Sequence, residues 1–526
     1  MKNSTSDKNN SSTDSLSWWE TAVIYQIYPR SFQDSNDDGI GDLPGITTRL
    51  EYIANLGVDA VWISPFFKSP QKDFGYDVAD YCDVHPEYGT LDDFDQMLAK
   101  AHGLGLKIMV DIVPAHCSDQ HAWFIESSQS NDNDKADWFH WVDPMPDGSP
   151  PTNWLSFFGG PAWSWEPRRQ QYYLHNFLSS QPNLNHANPA VRDAYMDIAR
   201  FWFDRGVDGF RIDAVHTINA DSEPYNNNKA NPDFVPGLLP QQQQPFFRQL
   251  HDSAQLNQPA IQSFSESFRS VADEYDDRFL MGELHGDDPI KASQTFTAPG
   301  RLHATYNFNL LAWGGHDVDG LKKAITDAIE AFNGTGRLSF AFSNHDVPRS
   351  ATRQLEPLGL GADQQQALQL LLLKLESCLI GSSCIYQGEE LALQDVRDIP
   401  IEQMQDPWGI EFAPTFLGRD TCRTPMVWKG DAPNGDFSKA NSTWLPISEQ
   451  HLSRAALDEA ARKDSNYNVF AEFLSWRKKQ PAIMSANTMG PITGGDTQIV
   501  FDRIAPSQTL RCRFDFKSLT ATFEEI

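Results

Sequence analysis

Long apolar runs are missing: no stretch of the 526 residues approaches the roughly 20 apolar residues of a spanning helix, so no helical membrane span is expected. Met1 to Ser17 holds Asn, Ser, Asp and Lys without the hydrophobic core of a secretory leader. Cysteine is scarce too. The six cysteines, at 82, 117, 378, 384, 422 and 512, include no CxxC or other metal-ligating spacing, which reads as free thiols in a reducing compartment. A cytoplasmic location is the expectation. Positive charge is short: 42 Lys and Arg stand against 71 Asp and Glu, a formal net charge of −29 that repels a nucleic-acid duplex or an anionic membrane. The acid excess fits an ordinary acidic enzyme or adaptation to salt. The phosphate-cradling pattern GxxxxGK[ST] is absent, which speaks against a nucleotide site. What is abundant is core material, with 40 % hydrophobic and 12 % aromatic residues, enough for one large core and a smaller one.

That material is arranged as short β-branched runs alternating with longer amphipathic stretches. Buried strands are expected at Val23 to Tyr28, Ala60 to Ile63, Lys107 to Val113, Asp208 to Ile212, Phe279 to Gly282, Ala304 to Phe308, Leu338 to Phe342 and Ser383 to Ile385. Helices are expected at Leu50 to Leu56, Leu91 to Gly103, Val191 to Phe203, Phe264 to Glu274, Gly320 to Phe332, Gln364 to Cys378 and Tyr467 to Lys478. Repeated βα construction with eight strands predicts an α/β chain, a (β/α)8 TIM barrel rather than an open sheet. Residues 1–17 form a polar tail, 18–116 the first part of the barrel and 186–480 the second. Between them residues 117–185, rich in Trp, Asn, Gly and Pro without a sustained helical period, are expected to form a lobe over the strand exits. A second insertion runs from Asn219 to about Pro245, and residues 481–526 read as an antiparallel C-terminal β domain.

Active sites of such barrels gather at the strand exits, and three exits here carry acids. The fourth strand ends in GFRIDAVH with Arg211 and Asp213 on one side of the extended chain, the fifth in MGELHG with Glu283, and the seventh in FSNHDVPR with His345 and Asp346. Each acid taken singly reads equally as a rim salt bridge or a helix cap. Together they are what glycoside chemistry needs: a carboxylate that attacks the anomeric carbon, a protonated carboxyl for the leaving oxygen, and a third group that holds the ring as positive charge develops. Asp213 is the nucleophile candidate, kept ionised by Arg211, and Glu283 the acid/base candidate, its pKa raised by burial and neighbouring carboxylates.

GYDVADY from Gly75, DIVPAH from Asp111, GFRIDAVH from Gly209, GELHG from Gly282, SNHDVPR from Ser343 and GRDTCRTPMVW from Gly418 resemble the motifs of glycoside hydrolase family 13, in its α-glucosidase and oligo-1,6-glucosidase branch. The resemblance covers nearly the whole chain, from TAVIYQIYPRSF at Thr21 to the C-terminal β domain. It implies a retaining, exo-acting hydrolase of the non-reducing terminal α-1,4-linked glucose of short substrates such as maltose. Asp213 is then the nucleophile that forms a β-glucosyl ester, Glu283 the acid/base and Asp346 the stabiliser of the distorted sugar. It further implies that Asp77 and Arg419 clamp the glucose hydroxyls, that His116 and His345 donate hydrogen bonds to them, and that Tyr76 and Phe177 form aromatic walls. The partners are small α-glucosides and alcohol or sugar acceptors, and the oligomer a monomer or homodimer. Two other readings are an α-glucosyl transferase or sucrose-active enzyme using the same intermediate, and a non-catalytic transporter partner; the latter lacks the acid set and carries a membrane helix.

The run DSNDDGIGD presents Asp34, Asn36, Asp38 and Asp42 at even spacings, with the Ile40 carbonyl between them, an all-oxygen set suited to Ca2+ or Mg2+. The family branch carries a structural metal in the corresponding loop; no organic cofactor is expected. Three departures stand out. Ala115 replaces the Asn used in the interdomain calcium site of α-amylases, so no second metal is expected. Asn183 and His186 stand in QPNLNHANP where relatives usually show Asp and Trp. Ala214, after Asp213, resembles α-1,4-specific members, where Val is typical of 1,6-specific ones.

Overall fold

The computed structural model describes residues 16–218, 225–229, 255–256, 260–284, 289–307, 310–311, 313, 317–332, 337–355, 360–484 and 488–526. Most of the expected polar tail and most of the insertion from Asn219 to Pro245 lie outside these. Eight parallel strands close in chain order into a barrel: β1 (Val23–Ile27), β2 (Ala60–Ile63), β3 (Lys107–Ile112), β4 (Gly209–Ile212), β5 (Phe279–Glu283), β6 (Ala304–Asn307), β7 (Arg337–Phe340) and β8 (Ser382–Tyr386). The expected TIM barrel is present. Alternation along each strand sorts the side chains. Ile24, Trp62, Met109, Met281 and Cys384 fill the lumen, while Tyr25, Val61, Ile108, Phe210, Leu280 and Ile385 face the helical layer.

The helices of that layer are α1 (Leu43–Leu56), α2 (Leu91–Gly103), α3 (Pro189–Asp204), α4 (Ala260–Ala272), α5 (Pro289–Phe296), α6 (Val318–Ala331), α7 (Ala362–Glu376) and α8 (Asn466–Arg477). α1 starts seven residues before the expected Leu50, because Leu43-Pro44-Gly45 reads as a breaker yet begins the helix. Asp42 caps it by accepting from Gly45 N at 2.6 Å, and proline in the first turn costs no hydrogen bond. α5 has only eight residues and no periodic signal long enough to have been picked out.

Three additions sit on this frame. After β2 a short antiparallel pair, Phe67–Lys68 with Asp80–Val84, carries the segment between them. After β3 the lobe forms a three-stranded antiparallel sheet of Trp141–Val142, Trp163–Glu166 and Gln171–Leu174, with one short helix at Ala122–Ser127. It returns to the barrel through a bridge between His116 and Asn183. The departures Asn183 and His186 are structural there: Asn183 accepts from Asn176 N at 2.7 Å and donates to Thr217 O at 3.2 Å, and His186 Nε2 pairs with Pro114 O at 2.7 Å. At the C-terminus Gln498–Ala505, Gln508–Asp515 and Thr520–Glu525 form an antiparallel meander. It docks through Phe523 against Trp476 of α8, ring centroids 4.6 Å apart, and through Arg503, which donates to Cys378 O at 2.9 Å. No helix among the described residues is long and apolar enough to cross a membrane.

Candidate active site

Arg211 is the centre of the site. Phe210 and Ile212 point into the helical layer, so Arg211 and then Asp213 point into the barrel mouth. The guanidinium is fully buried and meets three carboxylates from three strands. Its Nη1 donates to Asp111 Oδ1 at 3.0 Å and to Asp213 Oδ1 at 2.6 Å, and its Nη2 lies 2.6 Å from Glu283 Oε2. Trp62 lies under it, 5.0 Å from the guanidinium carbon, and Trp62 Nε1 donates to Asp111 Oδ2 at 3.1 Å. Glu283 Oε2 also accepts from Ala214 N at 3.0 Å, a hydrogen bond that the left-handed backbone of Ala214 (φ 40°) makes available.

Burial raises the pKa of Asp213, Glu283 and Asp111, the last to about 7, and Arg211 opposes the rise in each. One guanidinium cannot neutralise three carboxylates. The Asp213 and Glu283 side chains hydrogen-bond to each other, which takes a proton shared between the two. Asp346 behaves in the opposite way. Burial disfavours its charge, but His345, Arg423 and Arg419 hold it well below the usual carboxylate range. Arg423 Nη2 donates to its Oδ1 at 2.8 Å and Arg419 Nη1 to the same oxygen at 3.2 Å.

His345 is neutral because burial lowers its pKa. The Gln26 amide donates to Nδ1 at 2.6 Å, which leaves the proton on Nε2, facing the Tyr76 hydroxyl and Asp346 Oδ2 at 3.2 Å. Tyr76 lies nearly parallel to the ring, at 5° and 5.5 Å. His116 is buried and neutral, its pKa lowered to about 4 by desolvation. Its Nε2 pairs with Tyr76 O at 3.1 Å, and its Nδ1 is buried without a partner. Phe177 is half-buried, 5.0 Å from His116 and stacked on Phe157 at 5.0 Å.

Asp77 does not meet Arg419: its Oδ1 accepts from Ser69 Oγ (2.8 Å) and Asp73 N (3.0 Å), its Oδ2 from Lys72 N (2.9 Å), and it is fully buried. Those bonds build the turn that presents Asp73, whose Oδ1 lies 2.8 Å from Arg419 Nη2 and whose Oδ2 accepts from Gln181 Nε2 at 2.9 Å. Asp73, Asp111, Gln26, Gln181 and Arg423 were not singled out from the sequence. The visible signals were spacings: Asp73 lies four residues before Asp77, and Arg423 four after Arg419.

In the first βα loop, Asp34 Oδ1 accepts from Asn36 N and Asp37 N, its Oδ2 from Gly39 N, and Asp42 Oδ2 from Ser35 N. Asn36 and Asp38 accept from Asp38 N and Ile40 N, and both are exposed. Among the described residues, no three His, Cys, Asp or Glu side chains come together as a metal-holding group.

Comparison with known proteins agrees with this geometry. The alpha-amylase catalytic domain profile matches residues 26–486. A probable alpha-glucosidase of Rhizobium meliloti (strain 1021) is 45 % identical over 515 residues, 96 % of this chain and 91 % of that protein. An oligo-1,6-glucosidase of Parageobacillus thermoglucosidasius is 35 % identical over 508 residues, 89 % of this chain and 84 % of that protein. The crystal structure of the alpha-glucosyl transfer enzyme XgtA superimposes with a TM-score of 0.90 at 45 % identity, covering 95 % of this chain and 91 % of that chain. A closed eight-stranded barrel, acids converging at its strand exits and a family profile spanning most of the sequence lead to one conclusion: the chain belongs to the alpha-amylase catalytic-domain family, glycoside hydrolase family 13.

Proposed function

We propose that the chain is a retaining, exo-acting α-glucosidase that releases the non-reducing terminal α-1,4-linked glucose of short substrates such as maltose. The observation that carries this reading is the Arg211 fork, with Asp213 Oδ1 and Glu283 Oε2 each 2.6 Å from one guanidinium. Two carboxylates bound to one fork suit the close separation of retaining glycosidases, about 5 to 5.5 Å, rather than the about 6.5 to 9.5 Å that leaves room for a water in inverting ones. Glu283 holds the shared proton and gives it to the leaving oxygen, while Asp213, ionised on Arg211, attacks the anomeric carbon. Asp346 stays ionised and steadies the positive charge developing on the ring. Glu283, now a carboxylate, then takes a proton from the water that opens the ester.

The terminal glucose lies against Asp73, Arg419, Tyr76 and His116, and the buried Nδ1 of His116, which has no protein partner, is left for one of its hydroxyls. All four residues are less than a tenth exposed, a closed wall that fits a chain end better than the middle of a polymer. The small Ala214 beside the nucleophile supports a preference for α-1,4 links; a methyl difference is worth about 1 to 3 kcal/mol.

Transfer to a sugar or alcohol acceptor through the same ester intermediate is a second reading, supported by the likeness to the alpha-glucosyl transfer enzyme. The first βα loop enters the reading as a structural site for Ca2+ or Mg2+, with Asp34, Asn36, Asp38, the Ile40 carbonyl and Asp42 as donors. All are hard oxygens, and a carboxylate oxygen that accepts one N–H retains a lone pair for a cation. A bound ion would rigidify this loop, and no chemical step uses it.

Time-resolved product analysis on maltose, isomaltose, sucrose and maltotriose tests the proposal. Prompt α-glucose from maltose is expected; β-glucose as the first anomer refutes retention, and early trisaccharides establish the transfer reading.

A further inference from the structure

The arginine assigned to the glucose is itself gripped from behind. Of the three carboxylates around Arg419, Asp73 and Asp346 belong to the pocket, while Asp406 has no exposed surface. Asp406 Oδ1 accepts from Nη2 at 2.7 Å and from Nε at 3.2 Å, and Oδ2 accepts from the Arg419 backbone N at 2.6 Å. This approach needs Gly418: at φ +69° an added Cβ would fall 2.5 Å from Asp406 Oδ2. The guanidinium also lies over Phe158 at 5.1 Å and Trp408 at 5.9 Å. Trp408 stands in the turn Pro407–Phe412, whose N-terminus Asp406 caps.

A guanidinium beside two pocket carboxylates has several nearly equivalent orientations, and only one turns the remaining Nη1 hydrogen of Arg419, the one not directed at Asp406, Asp73 or Asp346, to a sugar hydroxyl. A carboxylate that takes Nε and Nη2 together removes that freedom, since a planar fork bound along one edge has a fixed direction. We propose that Asp406 is a positioning residue that fixes the direction of Arg419, so that its loss is felt in affinity for the terminal glucose and not in the bond-breaking step. This rests on the reading of Arg419 as a glucose clamp. Asp406 lies in the segment Gln405–Leu417, which the motif reading passed over.

The test measures maltose kinetics and the competitive Ki of glucose for the wild type, Asp406→Asn, Arg419→Lys and the double variant, with Tm and near-ultraviolet circular dichroism on each. Asp406→Asn is expected to raise both KM and Ki about 10- to 100-fold with kcat within about threefold, the scale of a charge-assisted hydrogen bond. In the Arg419→Lys background, where no fork remains to direct, it should add less than about twofold. Asp420 supplies the control: it accepts from Gln405 N at 2.6 Å and Asp406 N at 2.9 Å and so supports the same loop. If Asp420→Asn moves KM and Ki as far as Asp406→Asn, or if the Asp406→Asn cost is undiminished beside Arg419→Lys, the positioning role is overturned. Should Asp406→Asn fail to fold, Asp406→Glu keeps the charge but displaces the fork, and an unchanged KM for it overturns the proposal equally. Unchanged KM and Ki for Arg419→Lys itself would instead sink the clamp reading.

Discussion

Asp73 Oδ1 lies 2.8 Å from Nη2 of Arg419, and the turn that brings it there is tied down by Asp77, four residues further on. Two aspartates of one turn thus divide the work, one facing the pocket and the other spent on the turn.

That division predicts different failures. Asp73→Asn should fold with an unchanged Tm and lose about 100-fold in kcat/KM on maltose, chiefly through KM. Asp77→Asn can no longer accept at both oxygens, so it should destabilise the protein by about 1 to 3 kcal/mol in urea unfolding. Equal effects of the two variants on KM and on stability would refute the assignment.

The nucleophile and the acid/base should separate by leaving group. Asp213→Ala is expected to lose on the order of 10,000-fold or more of kcat on every glucoside while remaining folded. Glu283→Gln should be nearly as inactive on maltose yet much less impaired in glucosylation by an activated aryl glucoside, which needs no proton. Retained turnover by Asp213→Ala would remove it from the mechanism.

The pH profile follows from the shared proton. Glu283 works protonated and its pKa is raised by burial, so kcat/KM should fall as pH rises through the upper titration of the Asp213–Glu283 pair. Protonating the pair fully removes the nucleophile, which gives the acid limb. Asp346, held low by His345, Arg423 and Arg419, stays ionised across both limbs. Arg423→Gln should therefore bring an additional activity loss at the acid end, by letting the Asp346 pKa climb; an unaltered acid limb would count against this.

Ca2+ binding at the first βα loop should show in stability alone. Adding Ca2+ to chelator-treated protein is expected to raise Tm in a concentration-dependent way, and Asp38→Ala, exposed and outside the core, should abolish that rise with kcat unchanged. A Tm indifferent to Ca2+ in the wild type would dispose of the site.

The sequence by itself determined the barrel. Strands such as Ala60–Ile63 and Lys107–Ile112 and helices such as Leu91–Gly103 are local patterns, and their alternation admits few topologies. The acids at the exits of β4, β5 and β7 were legible for the same reason: a strand end is a local feature, and the barrel guarantees that strand ends meet. The tertiary structure alone decided which of several nearby acids each arginine would take. Asp73 and Asp77 are equally polar and four residues apart, and only the fold turns one towards Arg419, 346 residues away. Asp406 and Arg423 reach the pocket through irregular segments whose course no periodicity encodes. Pairings across hundreds of residues, and the pKa values that follow from sharing one guanidinium among several carboxylates, exist only once those side chains leave water together.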